Sequence, residues 1–269
     1  MSFERAILGR TGFEVGRLGL ASSYGASADA VQLAFDNGVN YFYWGSLRKS
    51  GFGDGLKALA PRRDRFLLVT QSYSRLASLV GPSLERALAA LHFDYTDVLL
   101  LGLWNGPTPR RILDACHKLR ERGLLRYIAM STHHRPLIPQ LATDPEYDIF
   151  HVRYNAIHRG AEREVFPLLP AANAPGIVSF TATSWRQLLG HKRIPPGEKV
   201  PTAADCYRFV LTQPAVNVCM TGPANAAQLQ EALAGLRRGP MAEDELAWMR
   251  RVGDAIYGKK PAAASVAGR

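Results

Sequence analysis

The sequence predicts a single (β/α)8 barrel, and three observations carry that prediction. Eight short runs rich in apolar and β-branched residues alternate with longer amphipathic segments, the pattern of a parallel sheet with helical crossovers. Two of the runs, Phe66-Leu67-Leu68-Val69 and Val98-Leu99-Leu100-Leu101, are apolar at every position, as strands buried on both faces are. The chain has 269 residues, close to the roughly 250 typical of such a barrel. A doubly wound open sheet is the competing architecture. No G-x-G-x-x-G follows the first strand to support it, and Gly51, Gly53 and Gly55 have the wrong spacing and follow no clear strand-to-helix turn.

The strands are expected at 17–21, 41–44, 66–71, 97–101, 126–131, 149–154, 177–181 and 216–221. Between them, a helix at 29–37 starts after Ser27 and stops at Gly38. One at 109–122 has Thr108 as its N-cap, Pro109 at its first position and Gly123 as its stop. Helices at 82–91, 161–169, 203–211 and 226–236 fit further crossovers, while the segment after the fifth strand is short and marked by proline. A last helix at 243–257 has no strand after it and should pack on the outside. The barrel is thus assigned to 1–258, and the Ala-rich, unpatterned 259–269 to a flexible tail.

Composition narrows the classes. The chain is 47% hydrophobic and 21% charged, ordinary for a globular domain. Its apolar runs stop well short of the roughly 18 residues a membrane span needs, and Met1 to Arg10 lacks a signal-peptide core. A cytoplasmic location is expected, with no membrane partner. Cys116, Cys206 and Cys219 have no metal or redox spacing and read as small buried hydrophobes. The net charge of +10 favours anionic ligands. The Arg pairs are scattered and no nucleic-acid-binding signature occurs, so a small-molecule substrate, open to being anionic, is expected rather than nucleic acid. Oligomeric state is not readable.

A barrel places its chemistry at the carboxyl ends of its strands. These ends supply Tyr43, Trp44 and Arg48, then Gln71, Tyr73 and Arg75, then Gly102 and Trp104. The fifth strand ends in Ser131-Thr132-His133-His134-Arg135, and the sixth carries His151, Arg153 and Asn155 with His158 beyond.

At these residues the sequence resembles the aldo-keto reductases, (β/α)8 barrels that transfer hydride between NADPH and a carbonyl. The stretch Leu8-Gly9-Arg10-Thr11-Gly12-Phe13-Glu14-Val15-Gly16-Arg17-Leu18-Gly19-Leu20 is similar to that family's amino-terminal hairpin and first strand. The likeness continues in Asp94-Tyr95-Thr96-Asp97, in Gly123-Leu124-Leu125-Arg126-Tyr127-Ile128, and in Tyr154-Asn155 followed by Ala161-Glu162-Arg163-Glu164. It closes with Thr221-Gly222-Pro223-Ala224-Asn225-Ala226-Ala227-Gln228-Leu229.

The resemblance also implies four catalytic positions, and none holds the family's residue. Tyr43 stands for the Asp, Arg48 for the Tyr, Gln71 for the Lys and Gly102 for the His. An arginine cannot donate the proton that the family's Tyr gives, because guanidinium stays protonated at working pH. On the cofactor side the resemblance places Ser131 and Phe180 at the nicotinamide, Gly222 at the anion-binding turn before a helix N-terminus, and Gln228 and Glu231 beside adenosine. Thr132 and His151 replace the family's nicotinamide Asn and Gln. Ala224 replaces the cation for the 2′-phosphate and Ala232 the adenine Asn, with Lys192 or Arg193 as substitute cations.

Candidate acids are Tyr43, Tyr73 and His134. The competing readings are packing tyrosines and a surface loop whose histidine caps a turn. Arg48, Gln71, Trp104, His133, Arg153 and Trp44 are candidate substrate contacts, with Trp185 in the same aromatic wall. The arginines at the rim, Arg75 and Arg135 among them, either hold an anion or pair with carboxylates such as Glu162 and Glu164. Tyr43, Arg48, Gln71, His134 and Arg153 are expected to line one pocket. No metal is expected, since His151 and His158 have no acidic or thiol ligand beside them. Three functions remain: an NADPH-dependent oxidoreductase with a rebuilt site; a non-redox lyase, cyclase or isomerase using His/Tyr acid–base chemistry; or a non-catalytic binding protein.

Overall fold

Eight parallel strands close on themselves in the computed structural model, which describes residues 2–45, 48–190 and 194–258. Ahead of the barrel, β1 (Ala6–Ile7) and β2 (Glu14–Val15) pair antiparallel as a hairpin. The barrel strands are β3 (Leu18–Ala21), β4 (Tyr41–Trp44), β5 (Leu67–Ser72), β6 (Thr96–Leu101), β7 (Leu125–Ser131), β8 (Ile149–Arg153), β9 (Gly176–Phe180) and β10 (Val218–Thr221), with β10 bonded to β3 to close the ring. Each lies within two residues of its predicted position.

Alternation along each strand divides the core in two. Tyr41, Leu67, Val69, Val98, Leu100, Ala129, Ile149, Val178 and Val218 fill the barrel together with Leu8 and Val15, which the hairpin supplies as a plug. Phe42, Trp44, Leu68, Leu99, Ile128, Phe150 and Ile177 face outward into the helical layer. Gly19 faces inward, and a Cβ there would lie 2.5 Å from the Met220 sulfur and 3.1 Å from the Tyr41 ring, so the bare backbone makes room for Tyr41.

The amino-terminal rim is held by a repeated device. Asn40, Asp97, Asp148 and Asn217 stand at the starts of β4, β6, β8 and β10. Each side chain accepts a backbone N–H from the preceding strand or its lead-in: Gly16 at 2.8 Å, Leu68 at 2.8 Å, Ile128 at 2.8 Å and Ile177 at 2.7 Å. These bonds satisfy donors that the ladder leaves over where strands begin.

The crossover helices are α1 (Ala28–Asp36), α2 (Ser50–Ala58), α3 (Ala77–Leu91), α4 (Arg110–Glu121), α5 (Leu137–Leu141), α6 (Ala161–Glu164), α7 (Ala203–Thr212) and α8 (Ala226–Arg238), with α9 (Glu243–Gly258) packed outside. Ser27 caps α1 as predicted, its hydroxyl accepting from Ala30 N–H. Thr108 does not cap α4. The helix begins after Pro109 without a side-chain cap, and the Thr108 N–H donates instead to the Tyr147 hydroxyl. The helix expected at 161–169 breaks after Glu164 into a 3₁₀ turn at Phe166–Leu168, because Pro167 brings no N–H to continue it. Helix α3 begins five residues before Pro82 and includes it.

Helix α2 is absent from the sequence prediction because Gly51, Gly53 and Gly55 read as a loop. The structure gives Gly55 a packing role: a Cβ there would lie 2.7 Å from Val31 Cβ and 2.9 Å from Ala28 Cα on α1. The same logic brings α9 onto the β8–α6 loop, where a Cβ at Gly253 would lie 2.0 Å from the Ala156 carbonyl oxygen. No helix among the described residues is long and apolar enough to cross a membrane. The predicted tail at 259–269 lies outside the described residues.

Candidate functional site

A cavity of about 590 Å³ opens at the carboxyl ends of the strands, where a parallel barrel presents its loops. Ten of the predicted site residues line it: Tyr43, Gln71, Tyr73, Ser131, His133, His151, Phe180, Gly222, Gln228 and Glu231, with Trp185 at its edge. Tyr43 and Gln71 meet within it. The inward face of β4 carries Tyr41 and Tyr43, and the Tyr43 hydroxyl donates to Gln71 Oε1 on the adjacent β5.

Gly102, just past β6, leaves room for that arrangement. A Cβ at 102 would lie 2.7 Å from Gln71 Nε2 and 2.4 Å from the Tyr73 ring. The side chains at 43, 71 and 73 and the missing one at 102 therefore form a single packing solution.

Below them, Tyr41 Oη and His151 Nε2 share a 2.8 Å hydrogen bond in the barrel interior. Burial lowers the His151 pKa to about 3 and pushes that of the Tyr41 phenol well up, so both are neutral at neutral pH. His133 is also depressed, first by burial and then by the charge of Arg153. Its ring meets that of Phe180 edge-on at 6.3 Å.

Arg48, His134, Arg153, Trp44 and Trp104 are not among the lining residues. The expectation that Arg48, His134 and Arg153 share one pocket with Tyr43 and Gln71 is therefore corrected, and strand alternation and loop turns explain why. Trp44 follows inward-facing Tyr43, so it points outward into the helical core, with the Arg48 guanidinium 5.3 Å above its ring. Trp104 is covered by the Arg75 guanidinium at 3.8 Å, which also bonds the carbonyls of Gly102 and Leu103. The Thr132 hydroxyl accepts the His134 N–H, turning the chain so that His133 faces the cavity and His134 faces solvent. Arg135 pairs with Glu164 at 2.7 Å, the structural alternative weighed for it.

Sequence reading missed Tyr24, Tyr207 and Arg186 in the lining. Tyr24 packs on Gly222, whose Cβ would lie 2.4 Å from its ring. Tyr207 accepts a 2.8 Å bond from the Thr221 hydroxyl. Arg186 owes its place to the turn after β9, in which Thr181, Ser184, Trp185 and Arg186 all have positive φ, from 49° to 68°. None is Gly or Asn, so no local signal marks the turn. Lys192 and Arg193 lie outside the described residues.

Ser131 Oγ accepts the Leu103 N–H at 3.0 Å, and Ser131 and Phe180 both line the cavity. Helix α8 starts at the cavity with Asn225 as N-cap, its side chain accepting from Gln228 N–H. The Gln228 carbonyl takes the Ala224 N–H at 2.8 Å, and Glu231 takes the Ala203 N–H at 3.0 Å. This wall offers the donors a nicotinamide dinucleotide would need: Ser131 and Phe180 could hold the ring and the α8 N-terminus with Arg186 the phosphates, while Gln228 and Glu231, which could flank adenosine, are already engaged with the chain. Among the described residues no three His, Cys, Asp or Glu gather as metal ligands.

Comparison with known proteins gives the same direction. The model of the Aldo/keto reductase family matches residues 8–185. The chain is 29% identical to an L-galactose dehydrogenase of Arabidopsis thaliana over 153 residues, 48% of each protein. It is 29% identical to the methylglyoxal reductase DkgA of Yersinia pestis over 117 residues, 42% of each. The chain thus matches about half the length of these curated relatives. An aldo-keto reductase from Bacillus halodurans superimposes in its holo form with a TM-score of 0.76 at 19% identity, covering 93% of this chain and 96% of that one. Its apo form gives 0.73 at 19% identity, covering 93% and 95%.

Proposed function

Because the chain belongs to the aldo/keto reductase family, we propose that it is an NADPH-dependent carbonyl oxidoreductase whose proton-donor site is rebuilt around Tyr43. The observation that carries this reading is the packing of Tyr43, Gln71 and Tyr73 around Gly102. One side chain at 102 would displace two of the three, so the departures at these positions are mutually dependent rather than separate losses. NADPH, when bound, supplies the hydride.

The remaining chemistry falls to the chain. A carbonyl oxygen between Tyr43 Oη and Gln71 Nε2 would meet two donors on adjacent strands, which stabilise the charge that develops there. The Tyr43 O–H turns from Gln71 Oε1 to that oxygen and passes its proton to the forming alkoxide, and water from the cavity mouth restores it. Neutral His151 and Tyr41 keep the floor beneath free of formal charge.

The test is a titration with NADPH followed by tryptophan fluorescence. A saturable change is expected. No change at millimolar cofactor would reject the reading and leave the non-redox enzyme, or a binding protein, on the same barrel.

A further inference from the structure

We propose that Arg153 is a specificity-determining residue that selects a carboxylate-bearing substrate; this deepens the oxidoreductase reading and rests on the same cavity. Five arginines stand at or just beyond the carboxyl ends of the strands, and the structure sorts them. Arg75 is spent on two backbone carbonyls and the Trp104 face, and Arg135 on Glu164. Arg48 lies over Trp44 and reaches the Gln71 carbonyl oxygen at 3.5 Å. Arg186 is exposed and lines the cavity, as do Gly222 and Ala224 of the turn before α8. Arg153 and Arg186 have neither a carboxylate nor a carbonyl partner for their guanidinium groups among the described residues, and of these two only Arg153 has its Nε buried without a hydrogen bond. A buried donor left unpaired is a standing cost that an incoming acceptor removes.

Arg153 does not itself line the cavity, but its place in the sheet sets it directly behind residues that do. Arg153 is two residues beyond His151 on β8 and shares its face, and His151 lines the cavity. Its register partner on β9 is Phe180, and its charge reaches His133. His133 and Phe180, edge to face, both line the cavity, and Arg153 neighbours both without lining it. His133 is exposed and has no hydrogen-bond partner among the described residues, so a turn of its imidazole opens the way to Arg153.

The chemistry of the ligand follows from what surrounds the guanidinium. Glu164 already neutralises Arg135, so the corner carries one free positive charge and suits one negative charge rather than two. A planar fork of N–H donors matches a planar carboxylate. The approach is apolar: Tyr73, Leu103 and Trp185 line the mouth, 47%, 41% and 52% exposed. The substrate class is a carbonyl compound with a carboxylate beside an aryl or alkyl body, such as a 2-oxo acid.

Phenylpyruvate and phenylacetone, which differ by a carboxylate in place of a methyl group, test this by calorimetric titration of the full chain with and without NADPH. The wild type should bind phenylpyruvate at least about tenfold more tightly. Arg153→Met should weaken phenylpyruvate by about ten- to a hundredfold and leave phenylacetone unchanged, while Arg153→Lys, which keeps the charge without the fork, should recover part of the loss. Circular dichroism verifies folding, and the Lys variant carries the test if the Met variant does not fold. Equal binding of the two compounds by the wild type, or a preference that survives in the variants, overturns the proposal. An Arg153-dependent preference without any NADPH signal upholds the carboxylate site and rejects only the redox reading. NADPH binding without the preference does the reverse.

Discussion

Tyr41 and His151, 110 residues apart in sequence, share a 2.8 Å hydrogen bond across the inside of the barrel. The imidazole is held neutral, its pKa lowered to about 3 by burial. In the unfolded chain it titrates near its ordinary value of about 6.5. As pH falls from about 6.5 toward 3, the unfolded state takes up a proton that the native state refuses, so stability falls, by at most about 1.4 kcal/mol per pH unit from this group. His133, also depressed, adds a contribution of the same sign. Urea midpoints at pH 7, 5.5 and 4.5 should drop in that order, and His151→Gln should flatten the trend. An equally steep trend in that variant would show that the imidazole is not the source.

Tyr43 and His134 should separate sharply in turnover. Tyr43→Phe removes the hydroxyl that faces the cavity and should lower kcat for a carbonyl substrate by about 10²–10⁴-fold with NADPH affinity retained. His134→Ala removes a side chain that faces solvent and should change kcat by less than about twofold. A large loss in the second variant, or none in the first, would move the acid away from Tyr43.

Gly55→Ala probes the α1–α2 contact. The added methyl would lie 2.7 Å from Val31 Cβ and 2.9 Å from Ala28 Cα. One contact is with backbone, so the helices must part, at a cost of about 1–3 kcal/mol. Thermal denaturation should show a lower Tm, despite the better helix propensity of alanine. An unchanged or higher Tm would mean that the crossing relaxes freely.

Glu245 ties α9 to α7. Its carboxylate takes two bonds from buried Arg208, at 2.5 and 2.7 Å, which lowers its pKa to about 2. The stabilisation is fully present above the unfolded value of about 4.3 and disappears as pH falls through the folded value. Glu245→Gln removes the charge and one of the two acceptors, leaving Arg208 with neutral carbonyls and the more distant Asp205, so a loss of about 2–4 kcal/mol at pH 7 is expected in chemical denaturation. That deficit should shrink between pH 4.5 and 2.

Much of the site was legible because a barrel strand announces its own direction. Tyr43, Gln71, Ser131 and His151 sit on strands whose alternation fixes which face they present, and all four line the cavity. The mistaken placements follow from neglecting the same rule or a turn. Trp44 is one residue out of phase with Tyr43, and the Thr132–His134 bond reverses the order in which two consecutive histidines meet the cavity.

The sequence by itself determined the order of the strands, most of the helix boundaries and the residues at the strand ends, because periodicity, caps and breakers act within a few residues. Tertiary structure decided which charges are free. Arg135 meets Glu164 across 29 positions, Arg75 meets Gly102 across 27, and Arg153 meets no counter-ion among the described residues. It also decided that three glycines at 51, 53 and 55 form a helix, since the reason for Gly55 lies on α1, and that Trp185 and Arg186 adopt a left-handed turn over the cavity. Partners this far apart leave no mark on the local pattern at either end, and only the closed barrel brings them together.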